Sequence, residues 1–127
     1  MPCAIDGVIH SGNVQNVNAK IISEGANGPI TAAAHKILVE KGSFIIPDVL
    51  CNAGGVIVSY FEWVQGLQNF FWSEEEVNEK LTDTMVNAFN RVMACMDHYK
   101  IRDVKTAALI TGVDRLNKAM LLRGLFP

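Results

Sequence analysis

This sequence of 127 residues lacks the features that define several common classes of protein. It has no cluster of lysine and arginine, and its formal net charge of −2 argues against a nucleic-acid partner. Its apolar runs are too short and too interrupted to cross a bilayer, and its start does not have the pattern of a secretory signal. We therefore expect no nucleic-acid partner, no membrane partner and a cytoplasmic location.

The cysteines and histidines are few and do not form a metal-binding pattern. There is no Cys-X-X-Cys pair, and the histidines have no cysteine or carboxylate at ligand spacing, so we expect no metal site. We interpret the cysteines as reduced thiols and the histidines as surface residues. The residues concerned are Cys3, Cys51, Cys95, His10, His35 and His98.

What is present is the composition of a folded domain, with 50% apolar and 19% charged residues. In the first half, residues 20–24 and 43–47 are predicted strands, and residues 2–5 are the predicted end of an earlier strand. Residues 32–41 between them form a predicted helix, with Thr31 as its N-cap and Gly42 just beyond its end. Such short links are typical of crossovers in a parallel sheet.

The second half is predicted to be helical. Residues 56–68 are apolar enough for a buried helix, and Ser73 with Glu76 forms a capping box that opens a long helix to residue 100. A last helix is predicted at 103–123, with one face formed by Leu109, Val113, Leu116 and Met120. The long helix has its own apolar stripe, consisting of Val77, Leu81, Met85, Ala88, Val92, Cys95 and Tyr99.

These elements predict an α/β fold made of half of an open, doubly wound parallel sheet followed by long helices. Residues 1–55 would form the half-sheet and residues 56–127 the helical part of a single partial domain. The strands are too few to close a doubly wound sheet.

Two segments follow the predicted strands, where ligands bind in open α/β sheets. Each has an asparagine beside small residues, Asn27 in the first and Asn52 in the second. An asparagine amide offers an acceptor and donors, which match a ligand carboxamide or a ribose hydroxyl. Gly54 and Gly55 would let a ligand approach the backbone, and the N-terminus of the next helix suits an anion.

Each of these features also has a simpler interpretation. Asn-Gly and Gly-Gly pairs commonly mark turns, and Ser59 is compatible with a helix hydroxyl bonded to its own backbone. Glu24 has no Gly-rich loop upstream, so we interpret it as a solvated carboxylate. Glu62 is either a paired buried carboxylate or a rim residue. We expect the aromatic residues around it to be core or interface anchors: Phe61, Trp63, Phe70, Phe71 and Trp72.

Four segments together resemble the glutamate branch of the Glu/Leu/Phe/Val dehydrogenase family. They are AKIISEGANGPIT, IIPDVLCNAGGVIVSYFEWVQ, FFWSEEEVNEKL and the ending LLRGLFP. The resemblance covers essentially the whole chain in the same order. It implies that the chain is the C-terminal half of a Rossmann-like doubly wound parallel sheet followed by C-terminal helices that return towards a substrate domain.

The resemblance also implies a function. The family converts L-glutamate to 2-oxoglutarate and ammonia, passing a hydride to NAD or NADP, and its members are hexamers. By this match the cofactor is bound by Gly25, Ala26, Asn27 and Asn52, with both asparagines beside the nicotinamide and its ribose. The substrate is bordered by Gly55, Val56 and Ser59, and Ser59 reaches its distal carboxylate.

No residue of this chain matches the catalytic lysine and aspartate of the family, or its Gly-rich phosphate loop. The sequence also departs from the family at Thr31–His35, where a Thr-Pro-Glu-Ala-Asp pattern is usual, and at Cys51, where alanine is common. We expect the isolated chain to be inactive. The alternatives are a non-catalytic assembly module that binds complete dehydrogenase subunits, and a small self-standing α/β protein.

Overall fold

A computed structural model of the chain describes residues 1–124. Residues 125–127, which end the LLRGLFP segment, lie outside the described residues. A short 3₁₀ helix, Val14–Asn16, comes first. The strands and α-helices follow in the order β1 Ile21–Ser23, α1 Ala32–Glu40, β2 Phe44–Ile46, α2 Asp48–Cys51, α3 Gly54–Gln68, α4 Glu74–Tyr99 and α5 Val104–Arg123.

The sheet is parallel, as predicted, but small. β1 pairs with β2, with Ile22 opposite Ile45, and α1 is the crossover between the two strands. The sheet has two strands within residues 1–124, so this part of the chain does not confirm the larger doubly wound sheet. The observed architecture is a mixed fold in which a parallel strand pair is followed by long helices.

The predicted strand end at residues 2–5 is wrong. Ile5 is exposed, and the carbonyl oxygen of Pro2 accepts hydrogen bonds from the backbone N–H groups of Gly25 and Ala26, both at 3.0 Å. The first segment therefore runs along the loop after β1. Its contact with a parallel partner comes later, as a single bridge between Ile9 and Ile30.

Local sequence signals define α1 as expected. The Thr31 hydroxyl accepts a hydrogen bond from the backbone N–H of Ala34 at 3.4 Å, and Gly42 follows the helix with a φ of 85°. The helix packs its buried face on the strand pair. This first core cluster consists of Val14, Ile22, Ile30, Ala34, Leu38 and Ile45.

The long helices form a second core cluster, consisting of Leu50, Val92, Val104 and Ala107. The capping box at the start of α4 is present. In the predicted stripe of α4, Val92 is buried and Tyr99 is exposed. α5 buries Val104 and Ala107 near its start, whereas its predicted apolar face is exposed: Leu109, Val113, Leu116 and Met120. No helix within the described part of the chain is long and apolar enough to cross a membrane.

Candidate functional site

The two asparagines singled out in the sequence meet in the structure. Nδ2 of Asn52 donates to Oδ1 of Asn27 at 2.6 Å and, more weakly, to the carbonyl oxygen of Gly25 at 3.4 Å. They meet because α1 returns the chain to a parallel strand, so the carboxyl ends of β1 and β2 lie at the same edge. The loop at residues 25–29 and helix α2 therefore form one continuous rim.

Asp48, at the start of α2, makes a second link between this helix and the loop at residues 25–29. Its Oδ2 accepts from the backbone N–H of Gly28 at 2.8 Å, and its Oδ1 accepts from that of Val49 at 2.7 Å. Burial raises the pKa of the Asp48 carboxyl, but these two hydrogen bonds and the positive charge of Lys105 together outweigh it, and the net pKa is lowered. Gly28 has a φ of 57°, a left-handed conformation that favours glycine, so the Asn27–Gly28 pair also lies in a sharp bend of the backbone.

Glu24 is not the solvated carboxylate that we expected. Its side chain is 0% exposed at the end of β1, and its Oε2 accepts from the backbone N–H of Asp48 at 2.9 Å. Its Oε1 is buried without a hydrogen-bond partner. No local sequence signal indicates this role, because the partner of Glu24 lies on α2, the element after the neighbouring strand.

Beyond Asn52, the double glycine is not a turn. Gly54 and Gly55 begin α3, and both have the ordinary negative φ of a helix. A Cβ on Gly55 would meet no atom within 4 Å, and one on Gly54 would only touch Leu81 at 3.8 Å. Neither backbone conformation nor packing within residues 1–124 therefore demands glycine at position 55.

The start of α3 is open to solvent. Gly55, Val56 and Ser59 are exposed along its first turns, and the N-cap residue Ala53 supplies no side-chain hydrogen bond. The first backbone N–H groups of the helix therefore have no side-chain cap and carry the positive end of the helix dipole. This is a surface on which a carboxylate can be bound.

His35 is another residue whose environment was predicted wrongly. Its Nε2 lies 2.9 Å from Oδ1 of Asp103, and its side chain is only 12% exposed. Since a carboxylate only accepts, Nε2 donates the hydrogen in this bond. Burial raises the pKa of Asp103, but hydrogen bonds from Thr106 and His35 outweigh it, so the net pKa is lowered. The contact joins α1 to the start of α5, a link between distant segments that has no local sequence signal.

The aromatic residues divide into two groups. Phe61 and Trp72 are half-buried and pack edge to face, with ring centroids 5.7 Å apart, and the Lys80 ammonium lies 5.1 Å from the Trp72 ring. Trp63, Phe70 and Phe71 are exposed, as expected of interface anchors and not of core residues. Glu62 is exposed, so it is a rim residue.

No set of three metal-ligating side chains comes together among residues 1–124. Burial, with the nearby Cys3 as a second contribution, raises the pKa of the Cys51 thiol, which lies at the end of α2. The candidate site among the described residues therefore consists of the amides of Asn27 and Asn52, the backbone N–H groups at the start of α3 and the hydroxyl of Ser59.

In open α/β sheets, ligands bind at the carboxyl ends of the strands, which is where the paired amides lie in this chain. The sequence model of the Glutamate/Leucine/Phenylalanine/Valine dehydrogenases matches residues 1–124. The chain belongs to this dehydrogenase family.

Its similarity to individual members is high over part of their length. It is 48% identical to glutamate dehydrogenase of Thermotoga maritima over 127 residues, which are 100% of this chain and 30% of that protein. It is 47% identical to the NAD-specific glutamate dehydrogenase of Staphylococcus aureus over 124 residues, covering 98% of this chain and 30% of that protein. The chain thus spans about a third of the length of the curated relatives that it matches.

Solved structures show the same relation. The crystal structure of glutamate dehydrogenase from Peptoniphilus asaccharolyticus matches with a TM-score of 0.91 and 39% identity, over 98% of this chain and 31% of that one. A leucine-bound, hetero-hexameric glutamate dehydrogenase from Thermus thermophilus matches with a TM-score of 0.89 and 32% identity, over 98% and 30% of the two chains.

Proposed function

We propose that this chain forms one wall of the active site of a glutamate dehydrogenase. The reaction is the oxidation of L-glutamate by NAD or NADP to 2-oxoglutarate and ammonia. Residues 1–55 would be the last part of the nucleotide-binding domain, and residues 56–127 the helical part that follows it. Membership of the family and the identity to glutamate dehydrogenases support this assignment.

The observation that carries the proposal is the amide pair. Because Nδ2 of Asn52 is spent on Oδ1 of Asn27, the pair presents the NH₂ of Asn27 and the carbonyl of Asn52 to a ligand. One donor and one acceptor side by side are the complement of a carboxamide, such as that of nicotinamide. The backbone of Gly25 and Ala26 completes this rim, and NAD or NADP, when bound, supplies the hydride acceptor.

The substrate would lie on the next part of the same surface. The exposed start of α3 offers uncapped N–H groups at Gly55 and Val56 and the hydroxyl of Ser59, which suit a carboxylate of glutamate. The open space over Gly55 also supports this placement, since nothing in the described chain fills it. The catalytic lysine and aspartate expected of the family would belong to a substrate domain. That domain would lie outside the part of the relatives' length, about a third, that this chain matches.

Steady-state kinetics of a complete subunit carrying this segment test the proposal. Asn52→Ala should lower kcat, because a misplaced hydride acceptor reacts slowly. Ser59→Ala should mainly raise KM for glutamate, by the loss of a hydrogen bond to a charged group worth about 1.5–3 kcal/mol.

Matched controls are Asn78→Ala and Ser11→Ala, exposed residues of the same types outside the site. If the Asn52 and Ser59 variants stayed folded with kinetics equal to those controls, the proposed site would be wrong.

The alternative function is a non-catalytic module that assembles with complete dehydrogenase subunits. The exposed apolar residues of α3 and α5 favour an assembly role of some kind. We propose that the complete protein is a homo-oligomer, a hexamer as the family resemblance implies. Glutamate-dependent NADH formation by the purified chain alone would contradict a partial active site, whereas co-purification with a separate complete dehydrogenase would favour the module.

A further inference from the structure

Helix α2 is too short to position a ligand-binding residue unaided. It is a single turn, Asp48–Cys51, and a lone turn gains too little from its own hydrogen bonds to persist in water. Its N-cap is Pro47, which has no side-chain acceptor to satisfy the first N–H groups. Yet its C-cap is Asn52, one half of the amide pair, so the placement of α2 sets the placement of Asn52.

The missing cap comes from the neighbouring strand. The carboxyl of Glu24 accepts from the first helical N–H of α2, that of Asp48, at 2.9 Å, and the next N–H, that of Val49, is satisfied by Asp48 itself at 2.7 Å. The backbone N–H of Glu24 also donates to the carbonyl oxygen of Ile46 at 3.0 Å, so the residue bridges both strand ends. Among the links between the loop and α2, this is the one made by a completely buried side chain.

A contribution to the stability of the fold does not by itself explain why position 24 carries a carboxyl. Oε1 of Glu24 is buried without a partner, and an unsatisfied buried oxygen lowers stability. The oxygen that is satisfied, Oε2, is the one that fixes α2. The contribution that distinguishes Glu24 from an apolar residue is therefore orientation.

We infer that Glu24 is a positioning residue for the nicotinamide site: its buried carboxyl caps α2 from the adjacent strand and so holds Asn52 opposite Asn27. This inference rests on the proposed function, because it gives the amide pair its role. Glu24 itself is completely buried and presents no atom on the surface where a cofactor or substrate would lie. It acts through the backbone of α2, and shortening its side chain should displace Asn52 without removing any ligand contact.

Two conservative variants of the complete subunit distinguish the length of the Glu24 side chain from its carboxyl group. Glu24→Gln keeps the length and an acceptor oxygen for Asp48, so kcat should stay within about threefold of the wild type. Glu24→Asp keeps the carboxyl but is one methylene shorter and no longer reaches Asp48. Its kcat should fall by about tenfold to a hundredfold, the effect of a displacement of about 1 Å, while KM for glutamate changes little.

A double-mutant cycle with Asn52→Ala tests whether Glu24 acts through Asn52. If it does, the variant with both Glu24→Asp and Asn52→Ala should be no slower than Asn52→Ala alone, within about twofold. Val14→Ala, in the other core cluster, controls for general destabilisation, and it should lower the melting temperature without lowering kcat.

Each outcome decides between the proposals. The positioning role would be overturned if the reductions in kcat caused by Glu24→Asp and Asn52→Ala multiplied in the double variant. It would also be overturned if Glu24→Asp were as active as Glu24→Gln. Wild-type kinetics of Glu24→Asp beside an impaired Asn52→Ala would overturn this inference alone. Wild-type kinetics of Asn52→Ala would overturn the proposed function and this inference together.

Discussion

Asp103 shows how much a single side chain does at the junction between the two halves of the chain. Its carboxylate accepts from the backbone N–H groups of Lys105 and Thr106 and from the Thr106 hydroxyl, at 3.2, 3.2 and 2.6 Å. It thus caps α5, and it also accepts from His35 on α1. One residue therefore caps α5 and attaches it to α1.

Asp103→Ala should lower the free energy of unfolding by about 2 kcal/mol. Loss of an N-cap costs about 1 kcal/mol, and leaving the nearly buried His35 without its partner adds a similar amount. Denaturant unfolding measures the change. The matched control is Asp114→Ala on the same helix, whose exposed pair with Lys118 is screened by water and should contribute clearly less. Equal effects of the two variants would contradict this account of Asp103.

The lowered pKa values of Asp48 and Asp103 predict how the stability of the folded protein changes in acid. The folded-state pKa values of Asp48 and Asp103 lie below the ordinary value of 3.8, so the unfolded chain binds protons more readily. Their contribution is fully present above about pH 4 and is lost as pH falls through the folded pKa values. Unfolding midpoints measured downward from about pH 5 should fall less steeply for Asp103→Asn than for the wild type. Parallel curves would argue against this role.

At the scale of single residues, the chemical role of a side chain could be predicted from the sequence better than its burial could. Asn27 and Asn52 were singled out because each follows a strand, and the strand pairing does bring them together. The sequence predicts Glu24 and His35 at the surface, although both are buried or nearly so. Their partners lie on other elements, and contacts of that kind leave no pattern along the chain.

At the scale of elements, the start of α4 is determined locally. The Ser73 hydroxyl accepts from the backbone N–H of Glu76 at 3.3 Å, and Oε2 of Glu76 accepts from the backbone N–H of Ser73 at 2.7 Å. These two reciprocal bonds satisfy backbone donors that would otherwise lack partners within the helix. Because all the groups lie within four consecutive residues, the sequence alone was enough to predict this boundary.

Ser73→Ala should lower the free energy of unfolding by about 1 kcal/mol, as expected for the loss of an N-cap acceptor. Ser73→Asp keeps an acceptor and places a negative charge at the positive end of the helix dipole, so it should retain most of the stability. Unfolding by denaturant, followed by circular dichroism, compares the two variants. A loss of similar size in both would show that the cap is not what stabilises this end of α4.

Other element boundaries could not be predicted from local signals. α3 begins at Gly54, two residues before the predicted start, because the double glycine continues the helix instead of breaking it. Within residues 1–124 the sheet stops at two strands, although the sequence pattern favoured a larger one. Strand number depends on which segments find partners, and short apolar segments do not specify their partners.

At the scale of the whole molecule, apolar surface is left exposed on two helices. On α5, Leu109, Val113, Leu116 and Met120 form the exposed face, and on and after α3 the aromatic residues Trp63, Phe70 and Phe71 are exposed. Both strands of the sheet also have an unpaired edge within the described residues. The chain spans about 30% of the length of its curated relatives.

The chain expressed alone should therefore self-associate. Burial of the α5 face in a second copy removes large apolar side chains from water, at about 25 cal/mol for each Å². Size-exclusion chromatography with light scattering over a dilution series should show an average mass that rises with concentration. Replacing two residues of this face, Leu116→Glu with Met120→Glu, should shift the distribution towards the monomer. Asn87→Glu with Asn90→Glu makes the same change of charge on exposed polar positions of α4 and should leave it unchanged. A monomer at every concentration of the unmodified chain would show that these exposed faces do not drive association.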